Sequence, residues 1–275
     1  MKGPVFVASG CGGTGRELEA YGDLAVLGGF VTRTFTLDAR AGGPSRLAES
    51  PAGLVRAHAL QNPGIDRFLM SELPWLAQRA VPTWVSLVAG TLGEYADLAR
   101  RAGGAPGVAG VELNLAIAEP RAWGFFNPAE AFQAARVVAA ARAELPPGRS
   151  LHVKLVADPL RVGDLARAVA DAGADAVVVG GALPAALDNG TSADLSGPAV
   201  RPVSVRCIAA ARAATDAGGC DVRIIGVGGV STTADARAAL AAGADGIQVG
   251  SALLHDPTTA FGIARDLAEE LQDIS

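Results

Sequence analysis

Near the end of the chain two short β-branched runs each finish on glycine: Ile224-Ile225-Gly226-Val227-Gly228-Gly229-Val230, and Ile247-Gln248-Val249-Gly250-Ser251. An alanine-rich helical segment, Thr233 to Ala242, lies between them. The order is strand, glycine turn, helix, strand, glycine turn. Glycines at such turns let backbone amides approach an anion closely, and a following helix N-terminus adds a positive dipole end. In a (β/α)8 barrel the loops after strands 7 and 8 form a phosphate site of this kind. The pair falls where strands 7 and 8 of such a barrel would stand. Plain tight turns would leave the same letters, so the motif takes its meaning from the rest of the chain.

The rest repeats the alternation. Eight strand-like runs are Val5–Ala8, Ala25–Thr32, Thr83–Val88, Val108–Leu113, His152–Val156, Ala176–Val179, Val222–Ile225 and Gly246–Val249. Most are continuously apolar, as parallel strands covered on both faces are. Helical patterns separate them over Leu92–Ala102, Pro128–Glu144, Val162–Ala172, Val203–Ala217 and Pro257–Leu271. Asn127 and Pro128 suit the N-cap and first turn of the second, and Gly173 and Gly218 stop the third and fourth. Eight such units in 275 residues favour a closed α/β (β/α)8 TIM barrel, a single domain over residues 1–275, over an open sheet. Thr34 to Leu73 reads as a long loop insertion after strand 2, on the active face.

Composition narrows the function. Half of the residues are hydrophobic and 19% are charged, enough for a large core. The net charge of −5 and the lack of a basic run argue against nucleic acid. No 18-residue apolar run is free of glycine or charge, so a soluble, cytoplasmic protein without a membrane partner is expected. Three scattered cysteines, Cys11, Cys207 and Cys220, and three scattered histidines give no metal-ligand spacing, so no metal is expected.

Seven motifs in order then carry a resemblance: Ala8-Ser9-Gly10, Val31-Thr32-Arg33-Thr34, Leu60-Gln61-Asn62-Pro63-Gly64, Glu112-Leu113-Asn114-Leu115, Val153-Lys154-Leu155, Leu195-Ser196-Gly197-Pro198-Ala199 and the two glycine turns. Over nearly its whole length the chain resembles the class 1 dihydroorotate dehydrogenases, FMN-containing (β/α)8 barrels of pyrimidine biosynthesis. The resemblance implies FMN as cofactor. Gly228, Gly229, Gly250 and Ser251, with Ser196 and Gly197, would hold its phosphate. Ala8, Ser9 and Gly10 would let the ring lie against the backbone, with Arg33, Thr34, Asn114 and Lys154 around it. Lys154 would stabilise the anionic reduced ring; a salt bridge inside the barrel mouth is the plainer reading of that residue. A satisfied core amide is the plainer reading of Asn114. The family also implies a homodimer and, in some members, a separate electron-transfer subunit with FAD and an iron–sulfur cluster.

The departures sit at the chemistry. After the fourth strand the family continues Ser-Cys-Pro-Asn, with the Cys as base; this chain has Ala116-Ile117-Ala118-Glu119. An alkyl group takes no proton. Arg56 replaces an amide that meets the pyrimidine, Val179-Gly180-Gly181-Ala182 lacks another, and Arg33 replaces a lysine. Cofactor positions persist while orotate positions change. Cys11, His58 and Glu119 are the candidates for acid–base work. Cys11 would act if its thiol pKa were depressed, with Arg33 as a cause, or it simply fills space. His58 is a general acid–base group or a surface loop residue. Glu119 is an acid–base group or pairs with Arg56 or Arg121. Trp123, Phe125 and Phe126 form an apolar lid over the flavin or pack against the insertion. Arg56, His58 and Glu119 would meet a small-molecule substrate, and Arg56 with Arg33 suggests an anionic one. Three readings follow: an FMN-dependent oxidoreductase with a substrate other than dihydroorotate, a genuine dihydroorotate dehydrogenase with another base, and a flavin- or phosphate-binding paralogue without catalysis.

Overall fold

The structure is a computed structural model that describes residues 3–42, 46–57, 60–117, 120 and 124–273. In chain order its strands are β1 (Val5–Val7), β2 (Gly29–Phe35), β3 (Arg46–Ser50), β4 (Gly53–Ala57), β5 (Thr83–Leu87), β6 (Val108–Asn114), β7 (Ser150–Lys154), β8 (Ala176–Gly180), β9 (Leu183–Ala186), β10 (Ser192–Ser196), β11 (Arg223–Val227) and β12 (Gly246–Val249). The helices are α1 (Arg16–Glu19), α2 (Ile65–Ser71), α3 (Leu73–Leu76), α4 (Leu92–Gly104), α5 (Ala131–Glu144), α6 (Val162–Asp171), α7 (Arg201–Ala217), α8 (Thr233–Ala241), α9 (Ala252–His255) and α10 (Thr259–Asp273).

Eight strands close a parallel barrel in the order β1-β12-β11-β8-β7-β6-β5-β2. They are the eight runs expected from the sequence, and the fold is a (β/α)8 TIM barrel. Alternation along each strand divides two cores. Val111 and Leu113 of β6 join the large apolar core under the helices. Glu112, between them, turns into the barrel, where its partner Gln248 lies on β12. Toward the strands' N-terminal ends the interior is filled by Phe6, Val31 and Trp84. The Trp84 ring stacks on His152 at 4.7 Å, and its Nε1 donates to Ser150 Oγ at 2.7 Å. That end is closed by packing, and the polar chemistry is left to the other.

Several elements are shifted by about two residues from the sequence reading, and three differ more. The second strand starts at Gly29, because Leu24–Val26 forms a 3-10 turn whose Ala25 amide donates to Asp23 Oδ1 at 2.8 Å. Helix α5 starts at Ala131, beyond Pro128; Asn127 Oδ1 instead accepts from the Ala129 amide at 3.2 Å. The insertion is not a bare loop. It contains the β3–β4 hairpin and helices α2 and α3, and β3, β4, β10 and β9 form a four-stranded antiparallel sheet of their own. Asn62 pins the insertion to the end of β2. Its Oδ1 accepts from the amides of Thr36 and Gly64 at 3.3 and 3.0 Å, and its Nδ2 donates to the Leu60 carbonyl at 2.9 Å.

Candidate active site

At the C-terminal ends of the strands the interior becomes polar. Thr34 of β2 is the hub. Its hydroxyl accepts from Asn114 Nδ2 at 3.0 Å and shares hydrogen bonds with Ser9 Oγ at 3.2 Å and Ser86 Oγ at 3.0 Å. A threonine hydroxyl has one proton and two acceptor lone pairs, so one of the two serines donates to it and the other accepts. Asn114 Oδ1 accepts from the Ala116 amide at 3.2 Å. The plainer reading of Asn114 thus has support: the protein itself supplies partners at both ends of its amide. One amide proton remains for a ligand.

Lys154 ends β7 on the same rim. Its Nζ donates to Gln248 Oε1 at 3.4 Å, and Gln248 Nε2 donates to Glu112 Oε2 at 2.6 Å. Lys154 therefore meets a carboxyl only through an amide, not as a direct salt bridge among the described residues. Burial pushes the Glu112 carboxyl above the usual carboxylate range, against the pull of Lys154 and of the Gln248 hydrogen bond. The sequence pattern assigns Glu112 no role and passes over Gln248. The available signal is a polar residue inside each otherwise apolar strand.

The two glycine turns lie on this rim. Gly228 (φ +108°) and Gly229 (φ +73°) adopt a backbone that L side chains rarely enter. A Cβ on Gly229 would stand 2.6 Å from Arg201 Cβ, and one on Gly228 would collide with Ser204 Oγ, so the turn packs directly on the start of α7. Close packing alone explains both glycines. The amides of Gly228, Gly229, Gly250 and Ser251 donate to no protein acceptor among the described residues, which leaves four donors for an anion. The start of the helix after the first turn is partly occupied by a carboxylate. Asp235 caps α8, accepting from the Ser231 and Thr232 amides at 3.1 and 3.0 Å and pairing with Arg201. Ser196 ends β10 opposite Leu54 of β4, and Gly197 (φ +92°) abuts Gly53, one short 3-10 turn before α7.

The loop after β1 closes the ring. A Cβ on Gly250 would sit 3.5 Å from Ala8 Cβ and 3.7 Å from Cys11 Sγ, in ordinary contact with both. Arg56 Nη1 reaches the Gly10 carbonyl at 3.4 Å. Burial pushes the Cys11 thiol up, and Arg56 and Lys154 do not reverse that. The thiol is not depressed, and Arg33 is not the cation that acts on it. This favours Cys11 as a space-filling residue over Cys11 as the base. The charge of Arg33 acts on Glu17 instead, and its buried Nε has no partner. A groove of about 560 Å³ runs outward from Gly10, Cys11 and Arg56 between Tyr21, Leu47 and Leu254.

Ile117 is half-buried and packs on the apolar core. His58, Glu119, Arg121 and Trp123 lie outside the described residues. Phe125 is buried under the Arg40 guanidinium, 4.7 Å from the ring centre, and the Phe126 amide donates to the Ala89 carbonyl at 3.0 Å. Phe125 thus packs against the insertion, and Phe126 is tied to the loop after β5. Among the described residues no three metal-ligating side chains converge, and no helix is long and apolar enough to cross a membrane.

The sequence profile of the dihydroorotate dehydrogenase family matches residues 1–271. The chain belongs to the dihydroorotate dehydrogenase family. Members of this family are oxidoreductases acting on CH–CH bonds. Similar relatives are the catalytic subunits of dihydroorotate dehydrogenase B (NAD(+)) from Desulforudis audaxviator (strain MP104C), 38% identical over 99% of this chain and 90% of the relative, and from Anoxybacillus flavithermus (strain DSM 21510 / WK1), 34% identical over 100% and 89%. The corresponding subunit of Cutibacterium acnes (strain DSM 16379 / KPA171202) is 35% identical over 100% of this chain and 91% of its own length. A crystal structure of DHODH from Eimeria tenella, in complex with ferulenol, shares the fold with a TM-score of 0.77 over 98% of this chain and 82% of that one, at 18% identity.

Proposed function

We propose that this chain is an FMN-dependent oxidoreductase, one barrel domain over its whole length, that acts on a small anionic substrate and oxidises dihydroorotate poorly. The cofactor half of the reading is supported by four unpartnered amides at the two glycine turns and by the polar layer around Thr34, Asn114 and Lys154. These groups fit the cofactor's two ends. Gly228, Gly229, Gly250 and Ser251, with Ser196 and Gly197 nearby, would hold the phosphate. Ala8, Ser9 and Gly10 would line the ring, Arg33, Thr34 and Asn114 would supply polar contacts, and Lys154 would face the edge that gains negative charge. When bound, FMN supplies hydride chemistry at N5.

The observation that carries the substrate half is Ile117. Where the family has its base, this side chain packs on the apolar core and offers no proton acceptor. Arg56 brings a fixed cation to the mouth, which favours an anionic, carboxylate-bearing substrate. Cys11 fills space beside Gly250, and acid–base work falls to His58 or Glu119. A second reading has specific support. Relatives 38% and 34% identical along nearly the full chain are named dihydroorotate dehydrogenase B catalytic subunits. On that reading His58 or Glu119 replaces the thiol, and the chain, as a homodimer, hands electrons to a separate subunit.

One experiment separates the two. Purified protein is reconstituted with FMN and its visible spectrum recorded anaerobically before and after dihydroorotate. A flavin band that stays oxidised, but bleaches with another small carboxylate donor, supports the first reading. Rapid bleaching by dihydroorotate supports the second. Protein that takes up no FMN removes the cofactor assignment from both.

A further inference from the structure

Glu112 is fully buried inside the barrel, and its Oε1 has no hydrogen-bond partner. A carboxyl in that position is costly unless something holds it. What holds it is not a cation but the equally buried Gln248. The amide presents Nε2 to Glu112 and Oε1 to Lys154. Turned the other way it would set oxygen against oxygen and donor against donor, so the groups at its two ends fix its orientation. Glu112 and Lys154 come from the paired strands β6 and β7, and closure of the barrel brings Gln248 of β12 across to them. Lys154 is also one of only two lysines in a chain with 23 basic residues, the other being Lys2.

A lysine ammonium rides on a flexible four-carbon stem. The described residues offer Lys154 Nζ one hydrogen-bond partner, Gln248, and Gln248 is anchored in turn by Glu112. We propose that Glu112 is a positioning residue for Lys154, acting through the Gln248 amide to hold the ammonium at the barrel mouth and to set the charge that a flavin ring meets there. This rests on the reading that FMN occupies the mouth. With Glu112 ionised the trio is neutral; without that charge it carries one positive charge, which favours the ring once reduction makes it negative.

The test compares wild type with Glu112→Gln, Gln248→Met and the double variant. Glu112→Gln keeps an acceptor for Gln248 and removes the charge. In the FMN-loaded proteins, reduction against reference dyes is expected to shift toward the reduced form by about tenfold in Glu112→Gln, or about 30 mV for a two-electron couple. In the Gln248→Met background the same substitution is expected to shift it by less than about twofold. An unchanged potential in Glu112→Gln, or a full shift retained without Gln248, overturns the proposal. A second measurement needs no cofactor. Acetylation of Lys154 in the apo-protein, scored against Lys2 by mass spectrometry, is expected to speed up about threefold or more in Glu112→Gln. An unchanged ratio in a variant with a wild-type thermal midpoint overturns the positioning role. Wild-type protein that binds no FMN counts against the cofactor reading alone, and the acetylation ratio then decides this one.

Discussion

Asp194 on β10 stands directly across the antiparallel ladder from Arg56 on β4, and Arg56 reaches on to the Gly10 carbonyl at the barrel mouth. Burial pushes the Asp194 carboxyl up, and the charge of Arg56 opposes it. Charge-assisted hydrogen bonds contribute about 1.5–3 kcal/mol. Arg56→Gln is therefore expected to weaken binding of an anionic ligand by roughly tenfold or more. Titration of the FMN-loaded protein with a panel of small carboxylates, orotate included, checks it. Equal affinities for the tightest binder would remove Arg56 from the substrate site.

His152 gives the fold an acid weakness. Burial, followed by the field of Arg223, lowers its pKa from 6.5 to about 3. Below 6.5 the unfolded chain binds a proton that the folded chain refuses until about 3. Stability from this group is complete above the upper value and declines as pH falls toward the lower, at up to about 1.4 kcal/mol per pH unit. Urea unfolding at several pH values should show that slope, and His152→Leu should flatten it. Parallel slopes would exclude the imidazole as its source.

Asp235 adds to the acid sensitivity through a carboxylate. Burial alone would raise its carboxyl, but the Ser231 amide, the Ser231 and Thr232 hydroxyls and Arg201 outweigh burial and hold it below the ordinary range. Its contribution is present above the ordinary aspartate pKa and disappears as pH falls through the lowered one. Asp235→Asn is expected to cost about 1–2 kcal/mol near neutrality, because charge-assisted hydrogen bonds become neutral ones. Denaturant midpoints should show the gap between variant and wild type closing in acid.

How much of this is legible in the sequence can be argued from particular strands. β8 is buried throughout and apolar throughout, and such a run marks a parallel barrel strand by itself. β3 is mostly exposed and β9 carries Pro184, so neither shows a strand's pattern; backbone pairing with β4 and β10 holds them. At the site, motif order locates the glycine turns, Asn114 and Lys154. Glu112 and Gln248 stand 136 residues apart, and only closure of the barrel makes them neighbours. The choice between the two readings of Cys11 is hidden for the same reason. A thiol's pKa depends on its burial and on which cations face it, and local sequence contains neither.

The thiols give a direct check on the space-filling reading of Cys11. Burial raises both Cys11 and Cys207, the latter to about 11. Thiolate absorbance in the ultraviolet should stay flat until the pH exceeds the ordinary thiol value of 9.0. Cys11→Ala should then lower turnover with the native donor by no more than a few-fold, because packing is lost but no base is. A thiolate that appears near neutral pH in wild type and is absent from Cys11→Ala would restore Cys11 as the base.

Ile117→Cys tests the proposal that this chain oxidises dihydroorotate poorly and that more than a base sets it apart. A positioned general base contributes about a hundred- to ten-thousand-fold. Were the rest of the pocket intact, the new thiol would return a gain of that size. Arg56 at one rim and the side-chain-free Gly180-Gly181 at another favour a changed pocket on the proposed reading, since the resemblance puts pyrimidine-binding amides at both places. Anaerobic stopped-flow reduction by dihydroorotate is therefore expected to accelerate by less than about tenfold. Ile117→Ala is the control, because it opens the same space without a thiol; a gain shared by both variants comes from room and not from proton transfer. A gain of about a hundredfold or more confined to the cysteine variant would show that the pocket still fits dihydroorotate, and that position 117 alone sets the substrate.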